Sequence, residues 1–128
     1  MSDLKPKGIE ITINGVNRRI MFTLNAIDKI QEKYGKPLHE VIDEITKFDL
    51  SNHVLRDVLL ILLEDEAERE NARNTYYMPE EMTEKEMGWF LSLENQVEVT
   101  KLVLMAYGVS LPEPDESDPN VESGQQNN

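Results

Sequence analysis

Ile9-Glu10-Ile11-Thr12-Ile13-Asn14-Gly15-Val16-Asn17-Arg18-Arg19-Ile20-Met21-Phe22 is the stretch that decides the fold. Its first five residues alternate branched apolar and polar groups, the period-two pattern of a half-buried strand. Asn14-Gly15 is the pair best able to take the positive φ angles of a two-residue hairpin turn. The return strand, Val16 to Phe22, passes within a couple of residues into Leu24-Asn25-Ala26-Ile27-Asp28-Lys29-Ile30, whose apolar spacing is helical. An N-terminal β-hairpin feeding straight into helices is therefore expected. The stretch contains no recognisable reactive centre.

Working outward, Thr23 can cap the first helix and Gly35 can end it in a left-handed conformation. Ile27, Ile30 and Tyr34 then share a face. Pro37 suits the first turn of a second helix, where its missing N–H costs nothing. There Leu38, Val41, Ile42 and Ile45 have amphipathic spacing, and Thr46 to Leu50 read as a linker. Ser51 reads as the N-cap of the longest helix, about residues 52 to 72, with Val54, Leu55, Val58, Leu59 and Leu62 as its core stripe. Leu60, Ile61 and Leu63 carry apolar character around the rest of the circumference. Such a helix is buried on several sides, within its own domain or against another subunit. Its second half, Glu64 to Glu70, is expected to be almost wholly solvated.

Residues 74 to 81 read as a loop that includes Tyr76, Tyr77, Met78 and Pro79. Thr83-Glu84-Lys85-Glu86 is a capping box that opens a short helix with Met87, Phe90 and Leu91. Ser92 to Glu94 restart a final helix with Val99, Leu102, Val103, Ala106 and Tyr107 on one stripe, closed by Gly108. After Leu111 the composition cannot repay the entropy of folding. The expected architecture is α+β: an N-terminal β-hairpin packed on four to five helices. Residues 1–8 form a flexible N-terminus, 9–111 a single domain, and 112–128 a disordered acidic tail.

One hundred and twenty-eight residues suffice for one domain with a real core. There is no cysteine, which excludes disulfides, thiolate metal sites and cysteine nucleophiles. The first residues lack the apolar run of a signal peptide, and no segment reaches the roughly 18 apolar residues of a membrane span. A soluble, cytosolic protein is expected. The net charge of −12 is uneven: residues 1–36 carry +3, residues 37–92 carry −9 and residues 110–128 carry −5. That balance argues against binding phosphate backbones, which needs clustered Lys and Arg. It favours basic or apolar partners.

Candidate chemistry is sparse. His39 and His53 share no ligand or triad spacing, and surface or capping roles explain them better than catalysis. The carboxylates from Glu64 to Glu70 point around a helix and lack the glycine-bearing loop of a calcium site. The glycines form neither a phosphate loop nor a dinucleotide fingerprint. No catalytic residue, metal ligand or cofactor site is assigned. Arg18 and Arg19 on the hairpin are candidates for contact with an acidic partner, and the Tyr77-Met78 loop is unusually apolar.

The order of elements resembles that of the tail assembly chaperones of long-tailed bacteriophages and related prophages. The resemblance lies in Arg19-Ile20-Met21-Phe22-Thr23-Leu24-Asn25-Ala26-Ile27, then Gly35-Lys36-Pro37-Leu38 with the Val41-Ile42 helix. It continues through Arg56 to Leu63, Met82-Thr83-Glu84-Lys85-Glu86, and the last helix running into Ser110-Leu111-Pro112-Glu113-Pro114. Together these cover about residues 9 to 114. The resemblance implies a non-enzymatic assembly factor that binds the aggregation-prone tape measure protein and helps recruit tail tube subunits to it. It implies residence in the cytoplasm of an infected or lysogenic bacterial cell, and a programmed frameshift that yields a longer form in many phages.

A hydrophobic surface that shields an amphipathic client helix fits that role. Leu60, Ile61, Leu63, Tyr77 and Met78 are the expected surface, with Arg18 and Arg19 as further partner contacts. A homo-oligomer is compatible with the apolar excess; nucleic acid and membrane are not expected partners. The alternative reading is an acidic DNA mimic that inhibits a nucleic-acid enzyme. A small hydrolase using His39 or His53 is a second rival.

Overall fold

The computed structural model describes residues 8–47, 53–73 and 81–110. Two strands, β1 (Ile9–Ile13) and β2 (Val16–Ile20), precede five helices: α1 (Leu24–Tyr34), α2 (Leu38–Ile45), α3 (Val54–Ala72), α4 (Glu84–Phe90) and α5 (Gln96–Ser110). This is the expected α+β hairpin-and-helices architecture.

The strands pair antiparallel, with Ile9 opposite Ile20, Ile11 opposite Arg18 and Ile13 opposite Val16. Asn14 and Gly15 take φ of 53° and 81°, the two consecutive positive angles a tight hairpin needs. β2 is shorter than expected and ends at Ile20. Phe22 instead turns inward and meets Tyr107 edge to face, with ring centroids 5.9 Å apart. Just before β1, Gly8 sits at φ 103°, where an added Cβ would lie 2.5 Å from the Ile20 carbonyl oxygen. Only glycine fits that close approach.

Helix boundaries follow the local chemistry. Thr23 accepts from the Ala26 amide, and Gly35 ends α1 in the left-handed region at φ 65°. Pro37 has no side chain to cap α2, so the amide of Leu38 donates to Gln31 Oε1 at 2.8 Å. Thr83 and Glu86 form the reciprocal capping box at the start of α4. Ser92 and Asn95 exchange the same kind of bonds ahead of α5.

Two boundaries differ from expectation. The residue preceding α3 is His53 at φ 56°, with no side-chain cap bond; Ser51 lies outside the described residues. Histidine is one of the residue types enriched at such angles. α5 runs through Gly108 to Ser110. Glycine inside a helix costs about 1 kcal/mol, which the packing of Val103, Ala106 and Tyr107 outweighs.

The helices lie against the inner face of the hairpin, with α3 along β2 and α5 along β1. α1 runs antiparallel to α3: Thr23, at its start, bonds Asp65, whereas Tyr34, at its end, bonds Asp57. α2 touches both α1 and α3, and α4 packs on α3. The core gathers Ile11, Ile20, Ile30, Val58, Leu59 and Leu62 around α3, all buried.

Leu62 and Leu60 are therefore expected to respond differently to truncation. Leu62→Ala removes a fully buried side chain and should cost about 3 kcal/mol. Leu60→Ala, at a half-buried position, should cost well under half of that. Urea unfolding of both variants measures the difference.

Candidate functional site

Arg18 is the clearest departure from the expected site. Its place opposite Ile11 and in phase with Ile20 puts it on the inner face of the hairpin. It is 6% exposed, and its Nε donates to Glu66 Oε1 at 2.6 Å. Nη2 also donates to the Leu63 carbonyl at 3.3 Å. The expectation that Arg18 faces a partner is thus corrected: its charge is spent inside the molecule. Arg19 is half-buried, its Nη1 donating to the Gly8 carbonyl at 3.0 Å and its amide to Glu66 Oε2 at 2.8 Å.

The second half of α3 is likewise not the solvated face expected. Asp65 and Glu66 are buried, as is Ala67. Asp65 Oδ2 accepts from Thr23 Oγ1 at 2.8 Å and from Arg69 Nε at 3.0 Å. Buried carboxylates require such partners, because desolvation otherwise removes their charge. Arg69 lies four residues along α3, but the other partners come from the hairpin and the α1 cap, more than 40 residues away in sequence, which is why local spacing missed them. One signal was available: in the alternation of β2, Arg18 shares the phase of Ile20.

Leu63 is fully buried in the core, so it is not a free surface residue, which corrects the expectation for that position. Leu60 and Ile61 are half-buried and pack against the core. Tyr77 and Met78 lie outside the described residues. The structure therefore brings Arg18 and Leu63 together, but in the interior.

The exposed apolar surface lies elsewhere. Trp89 on α4 is 75% exposed and Leu93, in the turn that follows, 72%; on α5, Val97, Met105 and Val109 are 49%, 53% and 54% exposed. Sequence reading credited α5 with one apolar stripe and overlooked Val97, Met105 and Val109. A signal existed: from Val97 to Val109 apolar residues occupy almost every side of the helix, as in helices covered on more than one face. His39 and His53 are exposed. Among the described residues no group of three or more His, Asp or Glu is placed to hold a metal ion.

A polar seam joins α1 to α3 on another side. Lys29 Nζ lies 3.2 Å from Glu64 and 3.7 Å from Glu68. Desolvation lowers the Lys29 pKa, but the hydrogen bond and charge of Glu64, helped by Glu68, raise it overall. Tyr34 donates to Asp57 Oδ2 at 2.6 Å. Burial, then the hydrogen bond and charge of Asp57, push the Tyr34 hydroxyl well above its ordinary 10.0.

Two outcomes test these arrangements. Arg18→Met alone leaves the Glu66 carboxylate buried without its guanidinium and should cost about 3–5 kcal/mol; adding Glu66→Leu should recover most of it, as read from chemical unfolding. Above pH 10 the unfolded chain releases the Tyr34 proton while the folded protein keeps it. Stability should therefore fall as pH rises from about 10, and less steeply in Tyr34→Phe. Comparisons with protein-family models, curated proteins and solved structures found no match for this chain.

Proposed function

We propose that this protein is a tail assembly chaperone of a long-tailed bacteriophage or prophage, acting by protein binding and without catalysis. Its clients are the tape measure protein and, through it, the tail tube subunits, in the cytoplasm of the bacterial host. The observation that carries the reading is the set of large apolar side chains left exposed from Trp89 to Val109. Apolar surface of that kind, on a protein of strongly negative charge, suits transient cover for an insoluble client. The order of sequence motifs from residue 9 to 114 supplies the identity of the client. No helix among the described residues is long and apolar enough to cross a membrane.

The DNA-mimic reading draws less support. It needs carboxylates displayed outward like phosphates, and two in the most acidic run of the chain, Asp65 and Glu66, are enclosed by hydrogen bonds and ion pairs within the fold. The hydrolase reading needs a histidine held by a partner, and none of the hydrogen bonds found among the described side chains orients His39 or His53.

Co-expression with the tape measure protein of the same phage or prophage is the test. The tape measure protein should become soluble and co-purify with this chain, and should aggregate when expressed alone. A tape measure protein that stays insoluble, or that is soluble but does not co-purify, would overturn the proposal.

A further inference from the structure

We propose that the outward face of α5, with Leu93 and Trp89 beyond its N-terminal end, receives an amphipathic helix whose flanks are cationic. The inference deepens the protein-binding reading given above and rests on it.

At 3.6 residues per turn, Val97, Glu98, Lys101, Met105, Gly108 and Val109 fall within about one third of the α5 circumference. All six are exposed. Buried Val99, Val103 and Ala106 occupy the opposite side, against the hairpin and core. The outward sector thus carries three exposed apolar side chains, Val97, Met105 and Val109, with Glu98 and Lys101 among them and Gly108 as a gap. Such a surface suits another helix, whose side chains can lie in the grooves between turns.

Charge selects among the occupants. The exposed charges of residues 81–110 are five glutamates and two lysines, and Glu94 and Glu98 lie one turn apart beside Leu93 and Val97. A second copy would bring a second net charge of −12 against this one, which opposes association. Anionic membrane surfaces are repelled for the same reason. A helix with an apolar stripe bordered by Lys or Arg satisfies both the exposed apolar side chains and the acidic N-terminal end of the face at Glu94 and Glu98.

Trp89, the chain's single tryptophan, is exposed on α4 ahead of this face, and its emission together with the heat of titration reads binding. The probe is a synthetic peptide of about 18 residues, long enough to form a helix, with Leu at i, i+3, i+4 and i+7 spacing and Lys elsewhere. Two controls accompany it: a scrambled peptide of the same composition, and a counterpart with Glu in place of Lys. The Leu/Lys helix should shift Trp89 emission to the blue and saturate, more weakly as salt rises. The double variant Val97→Asn, Met105→Gln leaves the charge unchanged and should weaken binding at least tenfold. Leu24→Asn, on the exposed start of α1, should leave it unaltered.

Equal binding of the scrambled peptide, equal binding of the Leu/Glu peptide, or no effect of the double variant would overturn the proposal. So would the absence of both an emission shift and a heat of binding, or self-association of the protein that the double variant abolishes. Should the Leu/Lys helix bind while the tape measure protein stays insoluble, the phage assignment falls and the docking face stands. Should the tape measure protein be rescued while the peptide experiment fails, only the docking face falls.

Discussion

Between β2 and α3 the carboxylate of Glu66 accepts from the Arg18 guanidinium with one oxygen, in a buried bond, and from the Arg19 amide with the other, in a partly buried one. That joint determines how the hairpin stands on the helices. Side chains of a strand alternate between faces, so a one-residue slip would turn Arg18 outward and carry Asn17 and Arg19 in. A buried carboxylate facing no cation is costly, so the slipped register is disfavoured electrostatically as well as by loss of the apolar match. One residue earlier on α3, Asp65 receives the hydroxyl of Thr23, which also caps α1. Two adjacent acids thereby hold the end of the hairpin and the start of the first helix in one place.

This clamp changes the meaning of the acidic run on α3. Residues that look like a solvated face supply internal contacts, and the outward carboxylates Glu64 and Glu68 pair across to Lys29 on α1. Those outer pairs are exposed and contribute little to stability. Along the same seam, nearer the start of α3, Tyr34 meets Asp57. The apolar half of α3 is consumed as well: Leu59, Leu62 and Leu63 are enclosed by the hairpin and the neighbouring helices. Among the described residues seven large apolar side chains stand in the open; two of them are Val16 and Leu24, and the other five cluster in sequence on α4, the turn after it, and α5. The idea that surplus apolar groups serve a partner thus moves from the third helix to the fifth.

Most of the local grammar was readable. Asn14-Gly15 makes the turn, Thr23 and Thr83 cap their helices, Gly35 closes α1, and the stripes of α1, α2 and α5 point inward as their periodicity implies. Each of these depends on residues within a turn or two of one another. Gly108 is the instructive exception: its stop signal is overridden where the turn just before it, at Val103, Ala106 and Tyr107, packs on the core.

The chain alone therefore determined the element types, most of their ends and the excess of apolar over enclosed surface, since backbone preferences and side-chain periods act over a few residues. The tertiary structure alone decided which charges are internal and which apolar residues remain outside. Glu66 is buried because Arg18 arrives from 48 positions away, and Leu63 is enclosed while Met105 is exposed because of how α3 and α5 lie against the hairpin. Burial is a property of what stands opposite a side chain, and that is settled only when distant segments meet.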